Sequence, residues 1–288
     1  MADSGSSIKS HYGDRPVSLC PLSQSQLNVL THCPRQFQYQ FLEQRSLPAS
    51  PDFLDAMEWG QRFHRLIERH ILGLSIEPWL EGDRELAVCF NALKDVLAET
   101  FPSCTDPSVI KLCEHRRSLQ MGAYLLTAVY DLLVLERGRS VIIDWKTAAR
   151  PRNRSDLEND WQTKLYLYLL AETSDQPADS LSMVYWFVRT KELSKVMPST
   201  VQFNYTASWH QKTQEELIKT LDQLTVWREA FLKNRAPFPK KGKNGDDKGS
   251  HNNDSENFLD SNFLDSNSTP LFKIPSWETI PEIKLDNL

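Results

Sequence analysis

The segment LLTAVYDLLVLERGRSVIIDWK, residues 125–146, decides the fold of this chain. Two runs rich in β-branched and apolar residues flank the tetrapeptide Glu136–Arg139, so the segment predicts two antiparallel strands joined by a tight turn at Gly138. An acidic residue lies in each half, Asp131 in the first run and Asp144 near the end of the second. The hairpin therefore predicts two carboxylates on adjacent strands of a sheet.

The second strand of this hairpin combines an apolar stem with a charged end. Residues 141–143 are all apolar, which is typical of a strand buried on both faces. Because side chains alternate along a strand, Asp144 and Lys146 are predicted on one face and Trp145 on the other. An aspartate and a lysine in such a setting are costly to desolvate without partners.

A divalent cation bound between the two carboxylates would explain why these residues occur together. Two carboxylates brought together repel each other, and a cation between them removes that repulsion. The cation would polarise a phosphate and the lysine would act beside the attacking water, so the pattern suits metal-dependent phosphodiester hydrolysis. The alternative, which the Asp144-x-Lys146 triplet alone favours, is an ion pair at a strand end with Asp131 as an ordinary surface acid.

Three positions outside the hairpin extend the pattern. Gln162 and Tyr166 lie one turn apart on a predicted helix, and an amide with a phenol suits phosphate or base contacts. On an earlier predicted helix Gly60 precedes His64 by one turn, and imidazole is an ordinary metal ligand that would complete a site with the two aspartates. Taken singly, each feature favours ordinary helix packing or a helix surface. Glu114 is a further acidic candidate, although a strand-surface glutamate is the favoured interpretation.

The whole chain predicts one α/β domain with a helical start. Hydrophobic periodicity and turn residues predict five helices and five strands. The helices cover about 22–41 with a kink at Pro34, 51–72, 83–100, 156–172 capped by Asp156, and 208–234; the strands cover about 109–120, 123–135, 140–146, 181–189 and 198–205. The expected fold is a central mixed β-sheet flanked by helices, with a helical N-terminal elaboration.

Composition divides the chain into four parts. Residues 1–20 are polar and expected to be disordered, and residues 21–239 hold the folded domain. Residues 240–270 begin with a Lys/Gly/Asn/Asp-rich stretch and are expected to form a disordered linker. Residues 271–288 form a C-terminal tail that begins with an apolar stretch and is expected to dock on this domain or on a partner.

The distribution of charge matters more than the net charge of −5. Five lysines and nine acidic residues follow position 240, a balance of −4, so residues 1–240 carry only −1. Within that part Lys146, Arg150, Arg152 and Arg154 place four positive charges in nine residues, directly after the candidate metal ligands. A basic strip beside an acidic site favours a phosphate-rich partner, although solvated loop arginines are the alternative.

The cysteines and the hydropathy of the chain indicate in which cellular compartment the protein is expected. The five cysteines form no C-x-x-C pair, which favours free thiols in a reducing compartment and makes the cytoplasm the expected location. No apolar run approaches the roughly 20 residues that span a bilayer, and the polar start lacks the apolar region of a signal peptide. No membrane association is expected.

The motifs taken in chain order resemble the RecB-like branch of the PD-(D/E)XK nucleases: Gly60-x-x-x-His64, Asp131, Asp144-Trp145-Lys146 and Gln162-x-x-x-Tyr166. The resemblance covers roughly residues 20–240 and is specific to that branch through the Gln-x-x-x-Tyr element. The start of the chain, with Ser25, Leu30 and the segment Cys33–Tyr39, is similar to the branch's N-terminal helix. The resemblance implies a restriction-endonuclease-like fold.

The resemblance also implies an activity and a set of roles. His64, Asp131 and Asp144 would bind Mg²⁺ or Mn²⁺, often with the backbone carbonyl of Trp145. Lys146 would orient or activate the attacking water. Gln162 and Tyr166 would position the DNA strand, together with the arginines of the basic strip. The expected function is a metal-dependent deoxyribonuclease in DNA repair or recombination, with a separate helicase chain as an expected partner.

The sequence departs from the branch at two places. Ala128 stands where the branch usually has glycine three residues before its first aspartate, which keeps a small side chain. Some members hold an iron–sulfur cluster with one early cysteine and three near the C-terminus. Cys33 occupies a place like the first, but no cysteine follows Cys113, so no such cluster is expected and Cys33 is predicted to be a buried thiol.

Two other functions remain open from the sequence. One is a non-catalytic module with the same fold that binds DNA or a helicase partner; the sequence itself has no G-x-x-x-x-G-K-[S/T] loop of an ATP-driven motor. The other is a metal-dependent hydrolase for a different phosphoester. The full set of polar motif residues favours a catalytic domain over the non-catalytic module, and the hydrolase for a different phosphoester is the weaker alternative.

Overall fold

The computed structural model describes residues 19–45, 48, 50–100, 109–147, 153–188 and 198–240. The strands are β1 (Cys20–Ser23), β2 (Ile110–Met121), β3 (Tyr124–Glu136), β4 (Arg139–Lys146), β5 (Leu181–Phe187) and β6 (Ser199–Asn204). The α-helices are α1 (Gln24–His32), α2 (Pro34–Phe37), α3 (Pro51–Ile71), α4 (Glu77–Leu80), α5 (Arg84–Thr100), α6 (Arg154–Asn159), α7 (Trp161–Glu172) and α8 (Ala207–Asn234). A π-helix (Gln38–Leu42) follows α2, and a 3-10 turn (Ala178–Ser180) precedes β5.

The six strands form one mixed sheet around the predicted hairpin. β3 and β4 pair antiparallel through the turn at Gly138, whose φ of 76° suits glycine. The sheet order is β1-β3-β4-β5-β6, and β2 pairs antiparallel with β3 off this path. β1 and β4 share the other edge of β3, where β1 pairs with residues 124–127 and β4 with residues 132–136. Residues 128–131 of β3 therefore lie between the segment that pairs with β1 and the segment that pairs with β4.

Helices cover both faces of the sheet and close two hydrophobic clusters. α3 and α5 pack in one cluster with Val141, Ile143 and Trp145, whereas α1, α7 and α8 pack in the other with Ile142. The prediction that β4 is buried on both faces is therefore confirmed. Trp145 contacts Trp186, with ring centroids 6.2 Å apart, on the face away from Ile142. The predicted α/β fold with a central mixed sheet flanked by helices is also confirmed.

Three local features differ from the predictions. The apolar pattern of the first predicted helix includes Leu22, but Cys20–Ser23 is a short strand because the open edge of β3 offers it partners, and the helix begins at Gln24. The predicted helix over 156–172 is two helices, α6 and α7, which meet at Asp160. The side chains of Asn153 and Asp160 accept backbone hydrogen bonds and cap the two helices, so Asp156 is not the cap. Cys33, predicted to be buried, is partly exposed.

The end of the described domain is held against the N-terminal helices. The backbone N–H of Phe238 donates to Gln38 Oε1 at 2.7 Å, and Arg35 Nε donates to the carbonyl of Phe238. The ring of Phe238 packs against Phe37 and Trp227, with centroid distances of 6.4 and 5.6 Å. These contacts join residues about 200 positions apart. We call the contacts of Arg35, Gln38 and Phe238 the terminal clasp.

Several predictions concern residues outside the described ranges. These are the disorder predicted for residues 1–18 and the linker and tail predicted after residue 240. Within the described ranges, no helix is both long enough and apolar enough to cross a membrane.

Candidate active site

The β3–β4 hairpin opens at the two aspartates. Its ladder ends at the pair Leu132–Ile143, so Asp131 and Asp144, which would come next in register, are not joined by the ladder. Instead the Asp131 carboxylate accepts a hydrogen bond at 2.8 Å from the backbone N–H of Trp145. Both aspartates are buried, with 7% of Asp131 and 0% of Asp144 exposed. The opening of the hairpin therefore brings both carboxylates to one region of the sheet.

Asp144, Lys146 and Gln162 form one buried network. Lys146 Nζ lies 3.0 Å from Asp144 Oδ2 and donates to Gln162 Oε1 at 2.7 Å. Gln162 Nε2 in turn donates to Asp144 Oδ1 at 2.6 Å. Because an ammonium only donates and a carboxylate only accepts, these two partners fix the orientation of the Gln162 amide. The Asp144–Lys146 ion pair considered from the sequence is present, with a third partner from α7.

The start of α7 is anchored by α1. Asp160 Oδ1 accepts from the backbone N–H of Gln162 at 2.8 Å and from Asn28 Nδ2 at 2.7 Å. The side-chain carbonyl of Asn28 accepts from the Trp161 backbone N–H at 3.1 Å, and Thr31 Oγ1 accepts from the Trp161 indole N–H at 3.2 Å. Both residues that precede Gln162 are therefore tied to α1, which fixes the point from which its side chain reaches β4.

His64 of α3 lies against Asp131. His64 Nδ1 is 3.3 Å from Asp131 Oδ2, and only 11% of the His64 side chain is exposed. Burial by itself would lower the pKa of His64, but the charge and hydrogen bond of Asp131, together with the charges of Asp144 and Glu114, raise this pKa to about 9. Burial likewise opposes ionisation of Asp131, whereas the charge of His64 holds the pKa of Asp131 below its usual value. Such mutually perturbed groups are typical of functional sites.

Glu114 of β2 belongs to the same group of side chains. One ligand atom from each of His64, Glu114 and Asp131 lies within 4.8 Å of the others. Glu114 stands opposite Asp131 in the β2–β3 register, yet the ladder skips this pair, and the Glu114 φ is 48°. Partial desolvation of its carboxyl group and the charge of Asp131 raise the pKa of Glu114 to about 7. Glu114 is exposed, as the favoured prediction of a strand-surface glutamate has it, but that prediction does not include its proximity to His64 and Asp131.

The predicted DNA-positioning residues of α7 are buried. Gln162 and Tyr166 are each only 1% exposed. The Tyr166 ring packs edge-on against Tyr130 with centroids 5.2 Å apart, and the Tyr130 hydroxyl donates to the Tyr166 carbonyl at 3.0 Å. The structure thus brings Gln162 to Lys146 and holds Tyr166 in the core one turn away. Contact of these two residues with a DNA strand stays a prediction.

The basic strip is described only at its two ends. Arg154 is exposed at the start of α6, donates to the Gln202 carbonyl at 2.9 Å, and lies 4.5 Å from the centroid of the Phe203 ring. Arg150 and Arg152 lie outside the described residues. The structure therefore places Arg154 against β6, and DNA contacts by the three arginines stay a prediction.

Comparison with known proteins agrees with this geometry. A family model described as the PD-(D/E)XK nuclease superfamily matches residues 21–240, which is more than half of the chain. The chain belongs to the PD-(D/E)XK nuclease superfamily. The superfamily is named for nucleases, and an acidic site with a lysine at the open end of the hairpin is consistent with nuclease activity. No curated protein matches the chain.

Two solved structures resemble this PD-(D/E)XK protein weakly. A presumed exonuclease from Eubacterium rectale is 9% identical over 76% of this chain and 86% of its own, with a TM-score of 0.43. The protein SSO0001 is 14% identical over 69% of this chain and 75% of its own, with a TM-score of 0.32. Both TM-scores are below 0.5, so neither likeness contributes to the functional argument.

The donor set of this PD-(D/E)XK site fits a divalent metal ion. His64, Glu114 and Asp131 offer an imidazole nitrogen and carboxylate oxygens, which suit Mg²⁺, Mn²⁺ and similar cations. His64 Nε2 is buried and has no hydrogen-bond partner among the described residues. Close carboxylates with this imidazole are the arrangement that a cation stabilises. Binding of the metal ion by Asp144 stays a prediction.

Two residues of the site, Asp160 and Asn28, have no role predicted from the sequence. Asp160 precedes a helix, and an aspartate in that position is an N-cap signal that marks the break between α6 and α7. Asn28 carries no such signal, because its partners Asp160 and Trp161 are more than 130 positions away in the chain. Only the packing of α1 against α7 brings Asn28 to the site.

Proposed function

We propose that this chain is a Mg²⁺- or Mn²⁺-dependent deoxyribonuclease of the RecB-like branch, acting in DNA repair or recombination. The observation that carries the proposal is the junction of two groups of side chains. One is the cluster of His64, Glu114 and Asp131, and the other is the network of Asp144, Lys146 and Gln162. The Trp145 N–H donates to Asp131 and so connects them through β4.

Each group supports a different part of the reaction. A divalent cation held by His64, Asp131 and Asp144, with the Trp145 carbonyl, would act as a Lewis acid on the scissile phosphate and lower the pKa of the attacking water. The Lys146 ammonium, restrained by two partners, would donate a hydrogen bond to that water or to the developing negative charge. Restraint matters because a preorganised donor needs no rearrangement during the reaction.

The substrate contacts follow from the same arrangement. Arg150, Arg152 and Arg154 are proposed to bind phosphates of the DNA backbone, since guanidinium groups match phosphate geometry. Gln162 and Tyr166 are proposed to position the strand, with Gln162 acting through Lys146. A helicase is proposed as a partner of this nuclease.

Cleavage of end-labelled linear and closed circular DNA tests the proposal. Wild-type protein is expected to cut DNA with Mg²⁺ or Mn²⁺ and to be inactive in EDTA. Lys146→Met should abolish cutting, whereas Lys219→Ala, at an exposed position on α8, should not. DNA binding without cutting by wild-type protein in either metal, with metal binding demonstrated, would refute the nuclease and favour the non-catalytic module.

A further inference from the structure

We propose that Glu114 is a direct ligand of the same divalent cation as His64 and Asp131. This inference rests on the proposed nuclease function and deepens it by adding a residue from β2, which the motif set above does not contain. The ligand is a divalent cation that accepts one imidazole and several carboxylates, for which Mn²⁺ is a suitable probe.

The positions of His64, Glu114 and Asp131 are the first argument that Glu114 is a ligand. The candidate ligand atoms of His64, Glu114 and Asp131 lie within 4.8 Å of one another, so a single cation can contact all three. The three residues come from α3, β2 and β3, which no local sequence feature brings together. His64 contacts Asp131 through Nδ1, and its buried Nε2 has no hydrogen-bond partner in the described ranges.

The availability of the carboxylates gives the second argument. Asp144 already has Lys146 at 3.0 Å from one oxygen and Gln162 at 2.6 Å from the other. Glu114 is exposed and, within the described part of the chain, its carboxylate makes no hydrogen bond or ion pair, although the charge of His64 acts on it. It can therefore turn toward a cation without breaking an existing interaction, whereas Asp144 must share its oxygens with two partners.

The backbone at Glu114 gives the third argument. A φ of 48° in the middle of a strand is unfavourable for a glutamate, and the ladder omits the Glu114–Asp131 pair while it continues on both sides. Residues held in such sparsely populated conformations persist only where the surrounding structure determines them, and they cluster at functional sites. Here the distortion coincides with the residue whose carboxylate completes the cluster.

Titration with Mn²⁺, followed by electron paramagnetic resonance and water proton relaxation, tests the ligand directly. Glu114→Gln is expected to weaken Mn²⁺ binding by about 10-fold or more, since even residues that only support a ligand change affinity by about 10–100-fold. Loss of a protein ligand should also admit one more water to the bound Mn²⁺ and raise its relaxivity. Both readouts are independent of DNA cleavage.

Glu68→Gln is the matched control. Glu68 lies one turn beyond His64 on α3, and its charge acts on Glu114, yet it lies outside the 4.8 Å group. The Glu68→Gln variant should leave the number of water molecules on the bound Mn²⁺ unchanged and affect Mn²⁺ affinity little. Equal weakening by the two variants, or unchanged binding in Glu114→Gln, would overturn the proposal. Glu114→Asp keeps a shortened carboxylate, and partial recovery of binding in that variant would support ligation.

The outcomes separate this inference from the proposed function. Wild-type protein that cuts DNA and binds Mn²⁺, with Glu114→Gln indistinguishable from it in Mn²⁺ binding, refutes only the role of Glu114. Wild-type protein that binds no Mn²⁺ and cuts no DNA refutes the nuclease as well. Circular dichroism of each variant in EDTA establishes that its fold is retained before the titrations are interpreted.

Discussion

The side-chain amide of Gln162 connects Lys146 to Asp144, accepting from the lysine at 2.7 Å and donating to the aspartate at 2.6 Å. A residue of α7, which lies outside the hairpin and its motif, therefore holds the two residues of β4. The relationship makes α7, and the α1 residues that anchor it, part of the candidate active site. It also leads to several predictions.

Gln162→Ala should lower the single-turnover rate of DNA cleavage by about 10–100-fold, as loss of a residue that orients a metal-site group typically does. The reason is that Lys146 and Asp144 each lose a buried hydrogen-bond partner and with it their fixed orientation. Because the change acts through Lys146, the pH dependence of the rate should shift as well. Gln223→Ala, at an exposed position on α8, is the control, and an unchanged pH profile in Gln162→Ala would count against a positioning role.

The Asp144–Lys146 ion pair should show strong coupling in a double-mutant cycle measured by denaturant unfolding in EDTA. Lys146→Met alone leaves a buried carboxylate without its counter-charge, which should lower the free energy of unfolding by about 3–5 kcal/mol. Asp144→Asn combined with Lys146→Met removes both charges and should recover much of that loss. All these variants should be inactive, and additive free energies of unfolding would contradict coupling.

Asn28→Ala should slow cleavage although Asn28 lies on α1 and is outside the recognised motifs. It removes the side-chain bonds to Asp160 and Trp161 and leaves buried polar groups unpaired, so we expect a loss of about 1–3 kcal/mol in the free energy of unfolding. Asn28→Asp should be worse, because it places a carboxylate beside that of Asp160. Single-turnover rates and denaturant unfolding measure both effects, with the exposed Asn159→Ala as control.

Phe238→Ala should destabilise the domain without changing metal binding. Phe238 is 1% exposed and packs against Phe37 and Trp227 in the terminal clasp, so truncation should lower the free energy of unfolding by about 3–5 kcal/mol. Leu232→Ala, at a position 67% exposed on α8, should cost much less. A Phe238→Ala protein of wild-type stability would show that the clasp does not hold the domain together.

Mn²⁺ should stabilise the wild-type protein against thermal unfolding. A ligand that binds only the folded state adds about 2.7 kcal/mol at a free concentration 100-fold above its Kd. His64→Ala removes the imidazole of the cluster and should greatly reduce this stabilisation. His32→Ala, on α1, is the matched control and should retain it. Equal thermal shifts in the two variants would place the bound metal elsewhere.

How far the sequence predicts the structure can be seen at particular residues. The β3–β4 hairpin and the shared face of Asp144 and Lys146 follow from local periodicity, because alternation and turn chemistry act over a few residues. The strand β1 was missed because four residues carry too little periodicity, and only pairing with β3 makes them a strand. The break at Asp160 was missed because the apolar pattern continues across it.

The sequence by itself determined the β3–β4 hairpin, the superfamily motifs and the candidate residues of the active site. Only the tertiary structure decided that Glu114 lies beside His64 and Asp131, that Gln162 holds Lys146, and that Asn28 anchors α7. The physical reason is the distance along the chain over which each interaction acts. Strand alternation and helix capping depend on neighbours in the chain, whereas these contacts depend on how α1, α3 and α7 pack against a sheet whose hairpin opens at Asp131.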